Sequence, residues 1–277
     1  MIAPQGRHNV KCDRLTRRQR LAFALLVATT LATLGPLAAV RASDRWPEER
    51  VAGSFVFHAD FSLKPYQSLL SQMTDLQADL IRELEIGTAR EPVHLFLFSR
   101  TATYKSYLGQ YFPKVPYRRA LFIKERGPGM VFAYRSPDFE TDVRHESTHA
   151  LLHAALPMVP LWLDEGLAEY FEVPADKRAY ENPHLATMKW QVWLPSVRSF
   201  EDLENVGDLN QMGGKEYRDS WAWVHFMLHG SSDAREELVR FLADIEAQTP
   251  PGKLGDRLRR RIPDVERQFA EHFKRWK

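Results

Sequence analysis

Two histidines four residues apart flank a glutamate in the segment His145-Glu146-Ser147-Thr148-His149. On a helix, positions four apart project from nearly the same side, so the two imidazoles can bind one metal ion. Imidazole ligands suit Zn²⁺, and a glutamate beside the first ligand can reach a water molecule without binding the ion itself. The motif therefore predicts zinc-dependent hydrolysis with Glu146 as the general base. A surface helix with two unrelated histidines is the alternative that the motif alone leaves open.

A catalytic zinc uses three protein ligands and keeps a fourth position open, so the hypothesis depends on a third ligand. Two prolines end the first predicted helix, and a second helix is predicted from Leu161. On this second helix, Glu165 follows His149 after 15 intervening residues. That distance is enough for the first helix to finish, turn and return a carboxylate toward the metal. His145, His149 and Glu165 are the predicted zinc ligands.

The segment around Glu165 carries a second motif, Trp-Leu-Asp-Glu-Gly-Leu-Ala at residues 162–168. Together the two motifs resemble those of the gluzincin metallopeptidases, whose aminopeptidase branch has Trp-Leu-Asn-Glu-Gly-Phe-Ala at the corresponding place. The similarity covers roughly residues 141–245, and the short gap between the motifs resembles the peptidase MA-like domains of exported bacterial proteins. The resemblance implies a zincin-like fold, bound Zn²⁺, Glu165 as the third ligand and a peptide or protein substrate.

One departure from the family concerns the substrate. The aminopeptidase branch carries a Gly-x-Met-Glu-Asn segment before its zinc helix, and the glutamate binds the free amino group of the substrate. This chain has Gly-Pro-Gly-Met-Val-Phe at residues 127–132, with no equivalent carboxylate. An endopeptidase is therefore expected rather than an aminopeptidase.

The resemblance also suggests a group that stabilises the oxyanion. In the aminopeptidase branch, a helix similar to the one predicted near residue 217 opens with a tyrosine whose hydroxyl has this task. The corresponding residue is Tyr217, and a phenol aimed at the tetrahedral oxygen meets the physical requirement. His225, eight residues later, is the second candidate. An aromatic cap on a helix is the structural alternative for Tyr217.

Carboxylates near the predicted ligands could orient the histidines. Glu169 lies four residues past Glu165 and hence on the same helix face, so it is expected to hold the ring N–H of a ligand histidine or to be a solvated helix carboxylate. Glu172 lies on that face too and is the second candidate. His153 is expected to be a core or supporting residue, because a fourth protein ligand would close the site.

The hydrophobic pattern predicts the elements that position these residues. Strands are predicted over 55–61, 93–98, 120–124 and 130–134, and helices over 66–86, 101–112 and 138–156, with Thr101 capping the second helix. The chain after Pro137 is predicted to be essentially helical. The fold class is therefore α+β, with a small mixed sheet in the N-terminal lobe, a helical C-terminal lobe and the active-site helix between them. Strand 130–134 is predicted to pair with an extended substrate.

The amino terminus predicts export. Residues 1–42 carry a charge of +6, the remainder carries −4, and the whole chain has +2. Leu21–Val40 contains no charged residue, and small residues at Val40 and Ala42 suit the −3 and −1 positions of a cleavage site. We expect residues 1–42 to be a signal peptide or an uncleaved membrane anchor, with membrane association through residues 21–40 in the second case. Residues 43–277 are then a periplasmic or secreted peptidase MA-like domain, or one anchored to the inner membrane.

Composition excludes other classes of protein. The chain has 277 residues, 44% of them hydrophobic, which excludes a disordered chain. Its mildly acidic main part argues against nucleic-acid binding. The single cysteine, Cys12, lies in the predicted signal, so neither an intramolecular disulfide nor a cysteine-based metal site is possible. The basic run 257–261 is predicted as a solvated helix face, with contact to an anionic membrane as the alternative.

A second functional class stays open. The same fold could be a non-catalytic zinc or peptide-binding module of the cell envelope, because a fold does not guarantee its chemistry. Glu146 favours the enzyme, since a pure binding site has no need of a general base.

Overall fold

The computed structural model describes residues 45–125, 127–194 and 199–277, which contain five short strands, ten α-helices and two 3₁₀ helices of three residues each. The strands are β1 (Glu48–Ala52), β2 (Phe55–Ala59), β3 (Val93–Phe98), β4 (Ala120–Ile123) and β5 (Met130–Tyr134). The helices are α1 (Gln67–Leu84), α2 (Thr101–Tyr111), α3 (Phe139–Ala155), α4 (Leu161–Phe171), α5 (His184–Gln191), α6 (Phe200–Glu204), α7 (Gly214–His229), α8 (Ser232–Glu246), α9 (Leu254–Arg261) and α10 (Val265–Arg275). No helix within these described ranges is long and apolar enough to cross a bilayer. The predicted signal or anchor and its cleavage site lie outside the described residues.

The strands form one mixed sheet in the order β1-β2-β3-β5-β4. β2, β3 and β5 are parallel, whereas β1 and β4 run antiparallel to their neighbours at the two edges. A small sheet followed by helices confirms the coarse α and β organisation predicted from the sequence. The prediction that strand 130–134 pairs with substrate is wrong, because β5 is bonded to β3 on one side and to β4 on the other. β4 is the free edge on this side of the sheet.

Helices cover both faces of the sheet. α1 buries a stripe at helical spacing, Leu69, Met73, Leu76, Leu80 and Leu84, in the main core. On the opposite face, α2 buries Tyr104 and Leu108 against Phe98 and Phe132. The predicted threonine cap of α2 is wrong: Arg100 is the extended N-cap residue, no side chain caps the helix, and Thr101 is its first helical residue.

The helices that carry the predicted ligands pack closely on one another. α3 lies against β4 and β5 on one side and against α4 on the other. α4 in turn packs along α7, and Gly166 permits the closest approach, since a Cβ there would lie 2.6 Å from the backbone oxygen of Ser220. A glycine next to Glu165 thus fixes how deeply α4, and the carboxylate it carries, sits against the helical core.

The basic run at the end of α9 is only partly a solvated face, because Arg260 alone among its arginines is exposed and the others are partly buried. Three of its arginines form ion pairs that connect α9 to neighbouring helices, and their side chains are 13–31% exposed. The pairs are Arg257 with Glu237, Arg259 with Glu201 and Glu266, and Arg261 with Asp233 and Glu236. These three arginines therefore join helices, and the nearby acids compensate their charges.

Candidate metal centre

α3 and α4 bring the three predicted ligands together. The Nε2 atoms of His145 and His149 lie 3.3 Å apart, with the two rings at 76° to each other. Glu165 Oε2 lies 3.5 Å from His145 Nε2 and 3.6 Å from His149 Nε2. The three donor atoms form a nearly equilateral triangle, hereafter the donor triangle, in a largely buried position.

The donor triangle has the size that a tetrahedral metal site requires. Zinc binds nitrogen and carboxylate oxygen at about 2.0–2.2 Å, so two donors on a tetrahedral ion lie about 3.4 Å apart. All three edges of the triangle agree with this separation to within about 0.2 Å. Imidazole and carboxylate also suit other divalent transition metals, so the donors fit a metal ion without selecting zinc.

Each of the two histidines turns its other ring nitrogen toward a carboxylate. His145 Nδ1 donates a 2.8 Å hydrogen bond to Glu172 Oε2. Asp164 Oδ1 lies 3.0 Å from His149 Nδ1, while its second oxygen accepts a 3.1 Å hydrogen bond from His153 Nε2. Carboxylates in this position fix the tautomer and the ring orientation, which leaves Nε2 available as a ligand. His153 thus contacts the carboxylate that faces His149, and its supporting role stays a prediction.

Glu169 makes a different contact from the predicted one. Its Oε2 accepts a 3.0 Å hydrogen bond from Nε2 of His184, the first residue of α5. The carboxylate that holds a ligand histidine is Glu172, one turn further along the chain. The cause lies in the packing: the Arg144 guanidinium on α3 donates to the backbone carbonyl of Glu172 and so holds the end of α4 beside His145, whereas α5 folds back to pair with Glu169.

The carboxylates of Glu165 and Glu172 favour a positive charge at the donor triangle. Burial alone would lower the pKa of His145, but its hydrogen bonds with Glu165 and Glu172 outweigh burial and raise this pKa to about 10. Burial alone would raise the pKa of Glu165, yet the two histidines lower it to about 2. Protonated imidazoles or a metal cation can supply the charge that these acids require.

Glu146 lies between two cavities that meet beside the donor triangle. The polar cavity, about 530 Å³, is walled by Thr141, Asp142, Glu169, Glu172 and Tyr217. The second cavity, about 340 Å³, has an apolar wall of Val115, Pro116, Leu121, Phe122, Leu161 and Leu209 and a polar wall that includes His149, Asp164, Glu165 and Asn210. Burial raises the pKa of Glu146, and the charges of His145 and His149 only partly offset this effect. A carboxylate with a raised pKa is suited to take up and return a proton near neutral pH.

Of the two oxyanion candidates, only Tyr217 lines a cavity together with Glu146. Burial and the charge of Glu165 raise the pKa of Tyr217, so its hydroxyl is protonated at neutral pH and can donate a hydrogen bond. His225 is fully buried, and its Nε2 donates a 3.0 Å hydrogen bond to the Ala179 carbonyl. His225 lines neither cavity and belongs to the helical core.

Arg118 is a residue of the site that the sequence did not single out. It precedes β4 and lines both cavities, and its positive charge lowers the pKa of Glu146 and Tyr217 against the effect of burial. No motif surrounds it, because its place depends on how β4 lies beside α3. Finding it from the sequence would have required the prediction that β4 forms the edge strand beside α3.

Comparison of the sequence with protein-family models and with curated proteins found no match.

Proposed function

We propose that this protein is an exported zinc-dependent peptidase that hydrolyses internal peptide bonds. The observation that carries the proposal is the donor triangle of His145, His149 and Glu165, with Glu146 beside it in a cleft. Three protein donors are the number that leaves a fourth position of a tetrahedral zinc open to water or substrate. The orienting carboxylates Glu172 and Asp164 also fit a metal site, since ligand histidines are usually held in this way.

Zinc, when bound to the donor triangle, supplies a Lewis acid that polarises the scissile carbonyl and makes water more acidic. Glu146 accepts a proton from water in the cleft and returns it to the leaving amine. Tyr217 donates a hydrogen bond to the carbonyl oxygen as negative charge develops there. The raised pKa of Glu146 supports the first role, and the protonated phenol of Tyr217 supports the second.

The arrangement of sheet and cleft supports an endopeptidase of the zincin-like type. Cavities extend on both sides of Glu146, so an extended chain can continue past the site in both directions. The free edge of β4 borders these cavities through Ala120, Leu121 and Phe122. We propose that the substrate adds to this edge as a strand, in place of the pairing with β5 that the sequence suggested.

Peptide cleavage tests this function directly. The purified protein with one equivalent of zinc is incubated with a peptide library whose amino termini are acetylated, beside the same library with free amino termini. Cleavage of the acetylated peptides by the wild type, lost in Glu146→Gln, is the expected result. Cleavage of free peptides only indicates an aminopeptidase. Bound zinc without cleavage of either library favours a binding module and overturns the proposal.

A further inference from the structure

Three residues line both cavities of the cleft: His145, Glu146 and Arg118. The first two already have roles in the proposed reaction. The third is a guanidinium on the β4 side of the cleft, opposite the helix that carries the general base. A substrate that passes from one cavity to the other therefore passes Arg118.

The backbone of Arg118 is fixed although its side chain is exposed. The hydroxyl of Tyr104, a fully buried residue of α2, donates a 2.9 Å hydrogen bond to the Arg118 carbonyl. Two residues later the chain enters β4 and the sheet. A long side chain on a fixed base can reach a defined point in the cleft at little cost in backbone ordering.

The charge of Arg118 has no carboxylate partner in the described part of the chain, in contrast to the charge of the next residue. Arg119 lies 2.6 Å from Asp138 and 2.7 Å from Asp142, and these ion pairs hold the start of α3 to β4. The described contacts of Arg118 are those of its carbonyl with the Tyr104 hydroxyl and of its side chain with the Tyr217 phenol, and its charge acts on Glu146. The Arg118 guanidinium lies within hydrogen-bond reach of the Tyr217 phenol, so both groups can donate to one anionic oxygen placed between them.

We propose that Arg118 is a catalytic residue that donates hydrogen bonds, together with Tyr217, to the carbonyl oxygen of the scissile peptide bond. The inference rests on the proposed peptidase function. When the oxygen of water bonds to the carbonyl carbon, the π pair moves to the carbonyl oxygen and the water proton moves to Glu146. When the carbonyl re-forms, the C–N bond breaks and the proton on Glu146 goes to the amine. Arg118 keeps its protons throughout, and its contact strengthens as the oxygen becomes negative.

Kinetics of a peptide acetylated at one end and amidated at the other test this role, because that peptide carries no terminal carboxylate. We expect Arg118→Ala to lower kcat by about 10²–10³-fold with KM changed less than about threefold. Arg118→Lys should restore part of the lost kcat, since lysine has the positive charge but not the planar guanidinium that donates two parallel hydrogen bonds. Affinity for a phosphonamidate analogue of the tetrahedral state should fall by the same factor as kcat/KM.

Lys114→Ala is the matched control, because it removes an equal charge from an exposed residue that lines neither cavity. We expect it to change kcat less than about threefold, with zinc content and circular dichroism confirming that all variants are folded. A rise in KM alone for Arg118→Ala, or equal losses in Arg118→Ala and Lys114→Ala, overturns the inference while the peptidase function stands. Absence of cleavage by the wild type overturns the peptidase function and this inference together.

Discussion

Glu172 and Glu169 lie three residues apart near the end of one helix, and of the two only Glu172 forms a hydrogen bond with a proposed ligand histidine. The Glu172–His145 hydrogen bond is 2.8 Å long and joins two side chains that are 15% and 17% exposed. A charge-assisted hydrogen bond of this kind contributes about 1.5–3 kcal/mol. Removing the carboxylate that orients a ligand histidine typically lowers metal affinity about 10–100-fold, which corresponds to about 1.4–2.7 kcal/mol. Because glutamine can still accept the hydrogen bond but lacks the charge, we expect Glu172→Gln to weaken zinc binding about tenfold.

Zinc affinity is measured by competition with a chromogenic chelator at constant pH. Glu169→Gln is the matched control, since the same change is made one turn away on a residue that pairs with His184. It should alter the zinc affinity less than about threefold. An equal or larger loss in Glu169→Gln than in Glu172→Gln would refute the assignment of the orienting role to Glu172.

Three further predictions concern the packing, the helical core and the oxyanion. Gly166→Ala should destabilise the protein by about 1–3 kcal/mol in urea unfolding, because the new methyl group meets the Ser220 backbone oxygen at 2.6 Å; an unchanged midpoint would show that α4 can shift without cost. Burial lowers the pKa of His225 to about 3. Folding stability is therefore fully present above pH 6.5, the pKa of histidine in the unfolded chain, and falls below that pH because the unfolded chain takes up a proton there. The loss from this residue alone is about 3 kcal/mol at pH 4. Urea unfolding at pH 7, 5.5 and 4 measures this loss, and an equal pH dependence in His225→Gln would contradict it. Tyr217→Phe should lower kcat about 10²–10³-fold with little change in zinc affinity. His225→Gln should leave kcat within about threefold at temperatures where both variants are folded. A larger loss of kcat in His225→Gln than in Tyr217→Phe would assign the oxyanion role to His225.

The elements that could be predicted from the sequence are those with a strong local pattern. The bounds of β3 and β5 agree with their apolar runs, and α3 and α1 begin and end within two residues of the predicted limits. β1 could not be predicted, because Glu48–Ala52 lacks apolar alternation. It forms through pairing with β2 across a turn in which Gly53 adopts a φ of +58°. The position of β5 inside the sheet likewise depends on long-range pairing.

The sequence could predict that His145, His149 and Glu165 lie together, because their spacing along two helices is itself the signal. The residue that orients His145 could not be predicted. Glu169 and Glu172 lie four and seven residues after Glu165 on one helix face, and the neighbouring helices determine which of them reaches His145. Arg144 on α3 and His184 on α5 make that choice. Arg118 belongs to no sequence motif. It lines the cleft because it lies two residues before β4, the edge strand that packs beside α3.

The central claim is that the donor triangle holds a zinc ion. The most direct measurement is an anomalous difference map, recorded at the zinc absorption edge, from crystals of the protein grown with one equivalent of zinc. We predict one peak, within about 2.0–2.2 Å of His145 Nε2, His149 Nε2 and a carboxylate oxygen of Glu165. No peak at this position, or zinc bound only by other residues, would contradict the account.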